Sequence, residues 1–302
     1  MEFRTIGRTQ VSLAGLGCNN FGRRIDEAAS HRVIHAALEA GVTLFDTADI
    51  YGDGHSEEFL GTGLGSRRDE AVIVTKFGMG EPPEGLSPAS PETVARACEN
   101  SLRRLGTDRI DVYILHEPDP ATPVGDTLEA MARLVEQGKV REIGCSNVDA
   151  SYIEASLEAA AERGVPGFSV VQNHYSLLHR EPEAEVLPAC QRLGLSFMPY
   201  FPLDSGLLTG KYRRGEPTPP GTRLAAMTLD DSRLLDVERF SAFAEAKGHT
   251  LIELALSWLA AHPSVATVIA GATKPDQVRS NAAATLAWQL SPEELEGIPR
   301  LP

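Results

Sequence analysis

Short apolar runs alternate with polar loops and amphipathic stretches along most of the chain. The opening segment, residues 3–13, alternates around Gly7-Arg8 and predicts a β-hairpin placed ahead of the main fold. From there the pattern becomes a repeat of apolar run, loop and helix-period stretch. Runs at 13–17, 42–45, 71–75, 110–115, 140–144, 168–171, 195–199 and 266–269 predict eight strands. Helices are predicted between them at 26–40, 57–65, 91–105, 125–136, 150–163 and 182–193, with another at 275–287. Gly41 supplies a stop for the first of these, and Ser90-Pro91-Glu92 reads as a cap followed by proline in the first turn.

Strands that are continuously apolar belong to a parallel sheet covered by helices. Eight strand–helix units is the number that closes a barrel. The expected fold is therefore α/β, a (β/α)₈ TIM barrel with an N-terminal β-hairpin. The interval between the seventh and eighth strands is long, holding a Pro- and Gly-rich loop at 215–221 and helical stretches at 235–247 and 250–262. No composition shift marks a linker, so one domain is expected over residues 1–302.

Composition narrows the partners. Apolar residues make up 42% of the chain and charged residues 23%, ordinary globular usage. The formal charge of −14 argues against nucleic acid and against an anionic membrane surface. A small anionic ligand stays compatible, since a few local cations outweigh a distant field. Cys18, Cys98, Cys145 and Cys190 lie far apart and form no CxxC pair, which reads as reduced thiols. No apolar run reaches the roughly 18 residues of a membrane span. Met1-Glu2-Phe3-Arg4 lacks the apolar core of a signal peptide, and a cytoplasmic location is expected.

In a parallel barrel, chemistry gathers where the strands end. The second run leads into Asp46-Thr47-Ala48-Asp49-Ile50-Tyr51-Gly52, the third into Thr75-Lys76 and the fourth into His116-Glu117. Taken singly, each polar residue has an ordinary explanation as cap, packing or solvated loop. Together they place an acid, a tyrosine, a lysine and a histidine on one rim. A tyrosine titrates near pH 10 and is a poor acid at neutrality. A neighbouring ammonium stabilises phenolate, so Lys76 is expected to lower the Tyr51 pKa, with Asp46 fixing Lys76. His116 can bond a substrate oxygen. The set suits proton delivery to a carbonyl oxygen while hydride arrives at its carbon.

Other motifs carry less. Gly61-Thr62-Gly63-Leu64-Gly65 sits at a predicted helix end and reads as a terminator, not a dinucleotide loop. His31 and His35, four apart, and His174 and His179, five apart, lack a third ligand, so no metal site is expected.

Phe45-Asp46-Thr47-Ala48-Asp49-Ile50-Tyr51-Gly52, Val74-Thr75-Lys76, Tyr113-Ile114-Leu115-His116, Ile143-Gly144-Cys145-Ser146-Asn147 and Gly206-Leu207-Leu208-Thr209-Gly210-Lys211-Tyr212 recur in order. With Gly15-Leu16-Gly17 and Gln172-Asn173-His174-Tyr175, they make the chain closely resemble the aldo-keto reductases, from the hairpin to about Asn281. The resemblance implies a catalytic tetrad of Asp46, Tyr51, Lys76 and His116, with Tyr51 as general acid. It implies a nicotinamide on the barrel floor near Ser146, Asn147 and Gln172, with Tyr200 stacked on the ring. It also puts Gln277 and Asn281 at the adenine, and Lys274 near a 2′-phosphate at a helix start. Further cofactor contacts are expected at Gly17, Cys18, Asn19, Phe201, Pro202, Leu203, Ser205, Gly206, Lys211, Gly271 and Thr273. Arg279 is the weaker phosphate candidate.

Three positions depart from the family pattern. Ser280 stands where many members carry an acid, Phe201 where a serine is common, and Glu117 where the family varies. NADPH is the cofactor the resemblance favours over NADH, and reduction of a small-molecule carbonyl the activity. The alternative is a nicotinamide-sensing regulatory subunit on the same barrel with little turnover; a metal-dependent hydrolase barrel would need more converging ligands. Loops at 80–90, 117–124 and 212–231 are expected to choose the substrate. The sequence assigns neither a particular carbonyl nor an oligomeric state.

Overall fold

The alternating opening segment forms strands β1 (Phe3–Ile6) and β2 (Thr9–Ser12), paired antiparallel with Phe3 opposite Ser12. Gly7 turns between them at φ +54°, where glycine is at ease, and a Cβ there would collide with the Glu142 carboxylate. The computed structural model describes residues 1–82, 84–225 and 227–300. Pro83 and Ala226, within two of the loops expected to choose substrate, and residues 301–302 of the expected domain lie outside the described residues.

Eight parallel strands follow the hairpin. They are β3 (Ala14–Gly17), β4 (Leu44–Asp46), β5 (Val72–Phe77), β6 (Ile110–Leu115), β7 (Val140–Ser146), β8 (Val170–Gln172), β9 (Ser196–Phe197) and β10 (Val268–Gly271). Neighbours in sequence are neighbours in the sheet, and β10 pairs back onto β3. The remaining edges meet through a parallel bridge from Phe197 to Val265. There Phe197 N donates to Ser264 O at 2.7 Å and Ala266 N to Phe197 O at 2.9 Å. The expected barrel is what forms.

Helices α1 (Glu27–Glu39), α2 (His55–Leu64), α3 (Pro91–Leu105), α4 (Val124–Glu136), α5 (Ala150–Arg163) and α6 (Val186–Leu193) connect successive strands. Helices α7 (Asp231–Ala246) and α8 (Leu251–Ala260) fill the long interval, and α9 (Pro275–Thr285) and α10 (Pro292–Gly297) follow β10. Caps set the starts. Asp26 accepts from Ala29 N at the head of α1, and Ser90 accepts from Thr93 N ahead of Pro91 in α3.

Sheet period two divides the packing. On β6, Val112 and Ile114 point into the barrel while Tyr113 and Leu115 face the helices. The inner cluster also takes Leu44, Val74, Val170, Met198 and Ile269, and Ile6 and Val11 of the hairpin close it from below. Each fully buried aliphatic side chain of this kind contributes about 1.5–3 kcal/mol.

Several boundaries moved. The run at 195–199 keeps only Ser196–Phe197 as ladder, since Pro199 has no N–H to give. Residues 181–183 form a separate 3₁₀ turn ahead of α6. The glycines at 61 and 63 are not terminators. They lie inside α2, where a Cβ at Gly61 would be 2.3 Å from Leu105 O and one at Gly63 2.7 Å from His31 and Ile34. They let α2 approach its neighbours, and Gly65 alone caps the helix. His31 and His35 join the same contact, each with Nε2 2.9 Å from an oxygen of α2. Among the described residues no helix is long and apolar enough to cross a membrane.

Candidate active site

Following the inner rows upward by two residues turns aliphatic into polar. Leu44 leads to Asp46, Val74 to Lys76, Ile114 to His116, Gly144 to Ser146 and Val170 to Gln172. Strand geometry alone thus gathers these side chains in one layer at the carboxyl ends of the strands. Above them lies a cavity of about 1310 Å³, lined by Asp46, Tyr51, His116, Ser146, Asn147 and Gln172 among others.

Lys76 sits beneath the wall, 1% exposed. Its Nζ lies 2.8 Å from Asp46 Oδ1, donates to Thr47 O at 2.7 Å and reaches Tyr51 Oη at 3.5 Å. All three ammonium protons therefore have acceptors. Gln172 Nε2 donates to the same Asp46 oxygen at 2.8 Å and locks the carboxylate from the other side. Tyr51 comes from outside the strands, in the turn after β4. Gly52, Asp53 and Gly54 there adopt positive φ in succession, folding the chain back over the rim.

Burial works against the Lys76 charge, but Asp46 and Tyr51 offset it and hold the ammonium above its ordinary pKa. Tyr51 corrects the sequence expectation. Burial of the phenol outweighs the nearby ammonium, and the pKa goes up rather than down. Tyr51 is held as a neutral phenol, the form that can give a proton. Burial, seconded by Lys76, pushes His116 down to about 3, so the imidazole is neutral at physiological pH. Its Nδ1 is buried without a hydrogen-bond partner.

The residues expected at the cofactor fall into two groups along the cavity. At the floor, Ser146 Oγ donates to Gln172 O at 2.6 Å, leaving its oxygen free to accept. Asn147, at φ +59°, donates from Nδ2 to His116 O at 3.0 Å and accepts from Tyr200 Oη at 2.8 Å. Tyr200 is the end of a ring stack. His174 lies parallel to it at 5.5 Å between centroids, and His179 lies on His174 at 3.9 Å. The two histidines pack face to face in this stack, and burial followed by His179 lowers the His174 pKa to about 4.

The rest of the expected set, Phe201, Pro202, Leu203, Ser205, Gly206 and Lys211 with Gly271, Thr273, Lys274, Gln277 and Asn281, also lies on the wall, Phe201 edge-on to Tyr200 at 5.2 Å. Gly206 must be glycine. Its φ is +95° and a Cβ would stand 2.9 Å from Lys211 Nζ. Lys274 caps α9, and Gln277 Oε1 accepts from Thr273 N and Oγ1. A helix start at Lys274, with Lys211 elsewhere on the same wall, suits an anionic group, though Asp276 shares that wall. Gly17, Asn19 and Asn20 face Gly271 across the gap, and Asn19 Oδ1 is buried without a partner. The set fits a flat polar heterocycle at the floor and phosphates beyond it.

Two candidates fall elsewhere. Cys18 is not on the wall; it is fully buried in the core between sheet and helices, with Sγ directed at Leu16 O, because the rim turns outward after Gly17. Arg279 pairs with Glu39 and Asp276 on the outer face of α9. Conversely, Arg23, Arg24 and Arg223 line the cavity without having been singled out. Arginines in exposed loops carry no periodic signal, and only the chain's folding back over the rim reveals them.

A family model described as the aldo/keto reductase family matches residues 14–301. An uncharacterized oxidoreductase, YrpG, of Bacillus subtilis is 36% identical, over 92% of this chain and 89% of its own. A probable voltage-gated potassium channel subunit beta of rice (Oryza sativa subsp. japonica) is 33% identical over 99% and 95%, and one of Arabidopsis thaliana 32% over 93% and 90%. Among solved structures, the aldo-keto reductase AKR11C1 of Bacillus halodurans, in its holo form, superposes with a TM-score of 0.83 at 33% identity, covering 99% of this chain and 95% of that one. The glycerol dehydrogenase AKR11B4 of Gluconobacter oxydans gives 0.84 at 28%, covering 98% and 93%.

Proposed function

The chain belongs to the aldo/keto reductase family of NAD(P)H-dependent oxidoreductases, and we propose that it reduces an aldehyde or ketone to the alcohol, with NADPH as reductant and Tyr51 as proton donor. The observation that carries this reading is the buried Asp46–Lys76–Tyr51 chain with its phenol kept neutral at the cavity wall. Bound nicotinamide supplies a hydride to the carbonyl carbon. The phenol of Tyr51 gives its proton to the carbonyl oxygen, and Lys76, with a proton already directed at Tyr51 Oη, stabilises the phenolate left behind. Asp46 and Gln172 hold the lysine in place. Neutral His116 orients the carbonyl oxygen by hydrogen bonding.

Ser146, Asn147 and Gln172 would hold the carboxamide end and Tyr200 the ring face. Lys211 and Lys274 would meet the phosphates, Gln277 and Asn281 the adenine, with Gly17, Asn19, Phe201, Pro202, Leu203, Ser205, Gly206, Gly271 and Thr273 completing the wall. The preference for NADPH rests on Lys274 at the start of α9. The chain acts as one barrel domain, and its four buried, unpaired thiols suit the cytoplasm.

A second reading, a nicotinamide-sensing regulatory subunit with little turnover, draws on the two plant relatives named as channel subunits. The complete quartet favours the enzyme. Fluorescence titration with NADPH and NADH, followed by absorbance decay with aldehydes and ketones, separates them. Tight binding of NADPH with turnover is expected; binding without turnover across the panel would transfer the case to the sensor.

A further inference from the structure

The rings behind Tyr200 take no part in the mechanism above, yet the backbone is built to put them there. Beyond β8, His174 pairs with Tyr200 in a parallel bridge, where Tyr200 N donates to Asn173 O at 3.1 Å and Tyr175 N to Tyr200 O at 3.4 Å. The chain then reverses. Ser176 and His179 exchange backbone hydrogen bonds at 3.0 Å, and Ser176 Oγ accepts from Leu178 N at 3.2 Å. This tight turn lays the His179 ring on His174, 8° from parallel. Glu181 Oε2, 3.0 Å from His179 Nδ1, fixes the outer end. The His174 ring in turn lies 14° from parallel with Tyr200. Phe201 stands edge-on to both, 5.7 Å from His174 and 5.2 Å from Tyr200. With its hydroxyl bonded to Asn147, the phenol ring is held at its tip, by Phe201 and by a column of two imidazoles.

Space filling alone does not account for this column. Neither histidine lines the cavity, whereas Tyr200 and Phe201 do. His174 Nε2 is buried without a hydrogen-bond partner, so at that edge the imidazole gains nothing from being polar. An aliphatic side chain would fill the same space without leaving a polar atom unmatched. What the imidazole adds is a flat face, and its distance from Tyr200 lies in the range that aromatic pairs prefer. Burial, then His179, keeps His174 neutral at physiological pH. No charge on that ring therefore opposes a nicotinamide that turns positive on losing hydride. Holding a half-exposed side chain in place before the ligand arrives removes a loss of freedom that binding would otherwise incur.

We propose that His174, backed by His179, is a positioning residue for the cofactor, holding the Tyr200 ring in advance at the angle that meets the nicotinamide face. This rests on the reading above that places Tyr200 on that face. Phe201, where a serine is common in the family, belongs to the same frame.

Titration of NADPH, followed by its own fluorescence, tests this without turnover. Tyr200→Leu should weaken binding about tenfold, the loss of one stacked aromatic. His174→Ala should weaken it about fivefold, and His174→Phe, which returns a flat ring, should come within about twofold of wild type. In the Tyr200→Leu background, His174→Ala should add less than about twofold, because its effect passes through the tyrosine. His179→Ala, at the outer end of the column, should weaken binding about twofold to threefold and carries the test if His174→Ala does not fold. In steady state the same losses should appear in KM for NADPH, with kcat at saturating nucleotide within about twofold of wild type. Unchanged affinity in His174→Ala, or in His179→Ala where that variant carries the test, overturns the proposal. So does an equal loss with and without the tyrosine, or a His174→Phe protein as weak as His174→Ala. Each of these leaves the reductase reading standing. Unchanged affinity in Tyr200→Leu overturns the proposal together with the contact between Tyr200 and the nicotinamide. Failure of the wild type to bind any nicotinamide nucleotide overturns the reductase reading as well.

Discussion

The two ends of the barrel obey different rules. At the amino end the hairpin seals the interior and most polar groups are matched, with Arg109 Nε and Thr267 Oγ1 the buried exceptions. Arg4 donates to Ala260 O, His262 O and Val265 O, and Ser12 and Thr43 exchange hydrogen bonds between backbone and hydroxyl. Asp111, fully buried, accepts from Arg68, Arg141 and Ile73 N. At the carboxyl end, His116 Nδ1, Asn19 Oδ1 and Asp49 Oδ1 are buried without partners. Asp53, Asn147, Phe201, Asp204 and Ser205, the non-glycine residues with positive φ among those described, all lie at this end. Left-handed backbone at non-glycine residues costs stability, and in this chain it gathers where the cavity opens. One end holds the barrel together; the other spends that stability on a site.

Cutting into the closed end should break the fold first. Asp111→Ala leaves Arg68 and Arg141 without their shared carboxylate and should cost about 3 kcal/mol, read by urea denaturation. A loss below about 1 kcal/mol would mean that this end is not the anchor.

Asp49 should show the opposite sign. Burial, with Glu57 second, raises its pKa to about 6, above an unfolded value near 3.9. Its contribution is fully present below about pH 4 and is lost as pH rises through 6. Asp49→Asn should therefore stabilise the protein by up to about 2–3 kcal/mol at pH 8 relative to pH 4. Denaturation curves at the two pH values that kept the same difference between variant and wild type would contradict it.

The smallest effect belongs to the wall of the same cavity. Lys274→Ala should weaken NADPH about tenfold, near 1.4 kcal/mol, with NADH much less affected. Equal losses in a fluorescence titration would remove the lysine from the 2′-phosphate.

The contrast also explains what the sequence made legible. The aliphatic rows were plain because strand period leaves no choice of face, and Asp46, Lys76 and His116 could be placed by counting on from them. Lys211 and Lys274 followed from resemblance and do reach the wall. The pKa direction of Tyr51 did not follow, because it depends on how deeply the phenol is buried against one ammonium, which spacing cannot report. Cys18 failed for a local reason, its side chain turning to the core one residue past the strand. Helix α10 was readable and missed: Ser291-Pro292-Glu293-Glu294 carries a capping box behind the same Ser-Pro start as α3. The arginines were invisible until distant loops met.

The central claim is tested most directly by NADPH oxidation with a reactive aldehyde, comparing wild type with Tyr51→Phe after both are shown to bind the nucleotide. Loss of the proton donor should lower turnover about a thousandfold, ~4 kcal/mol in the barrier, with NADPH affinity and melting temperature nearly unchanged. Turnover in Tyr51→Phe close to that of wild type would contradict the account.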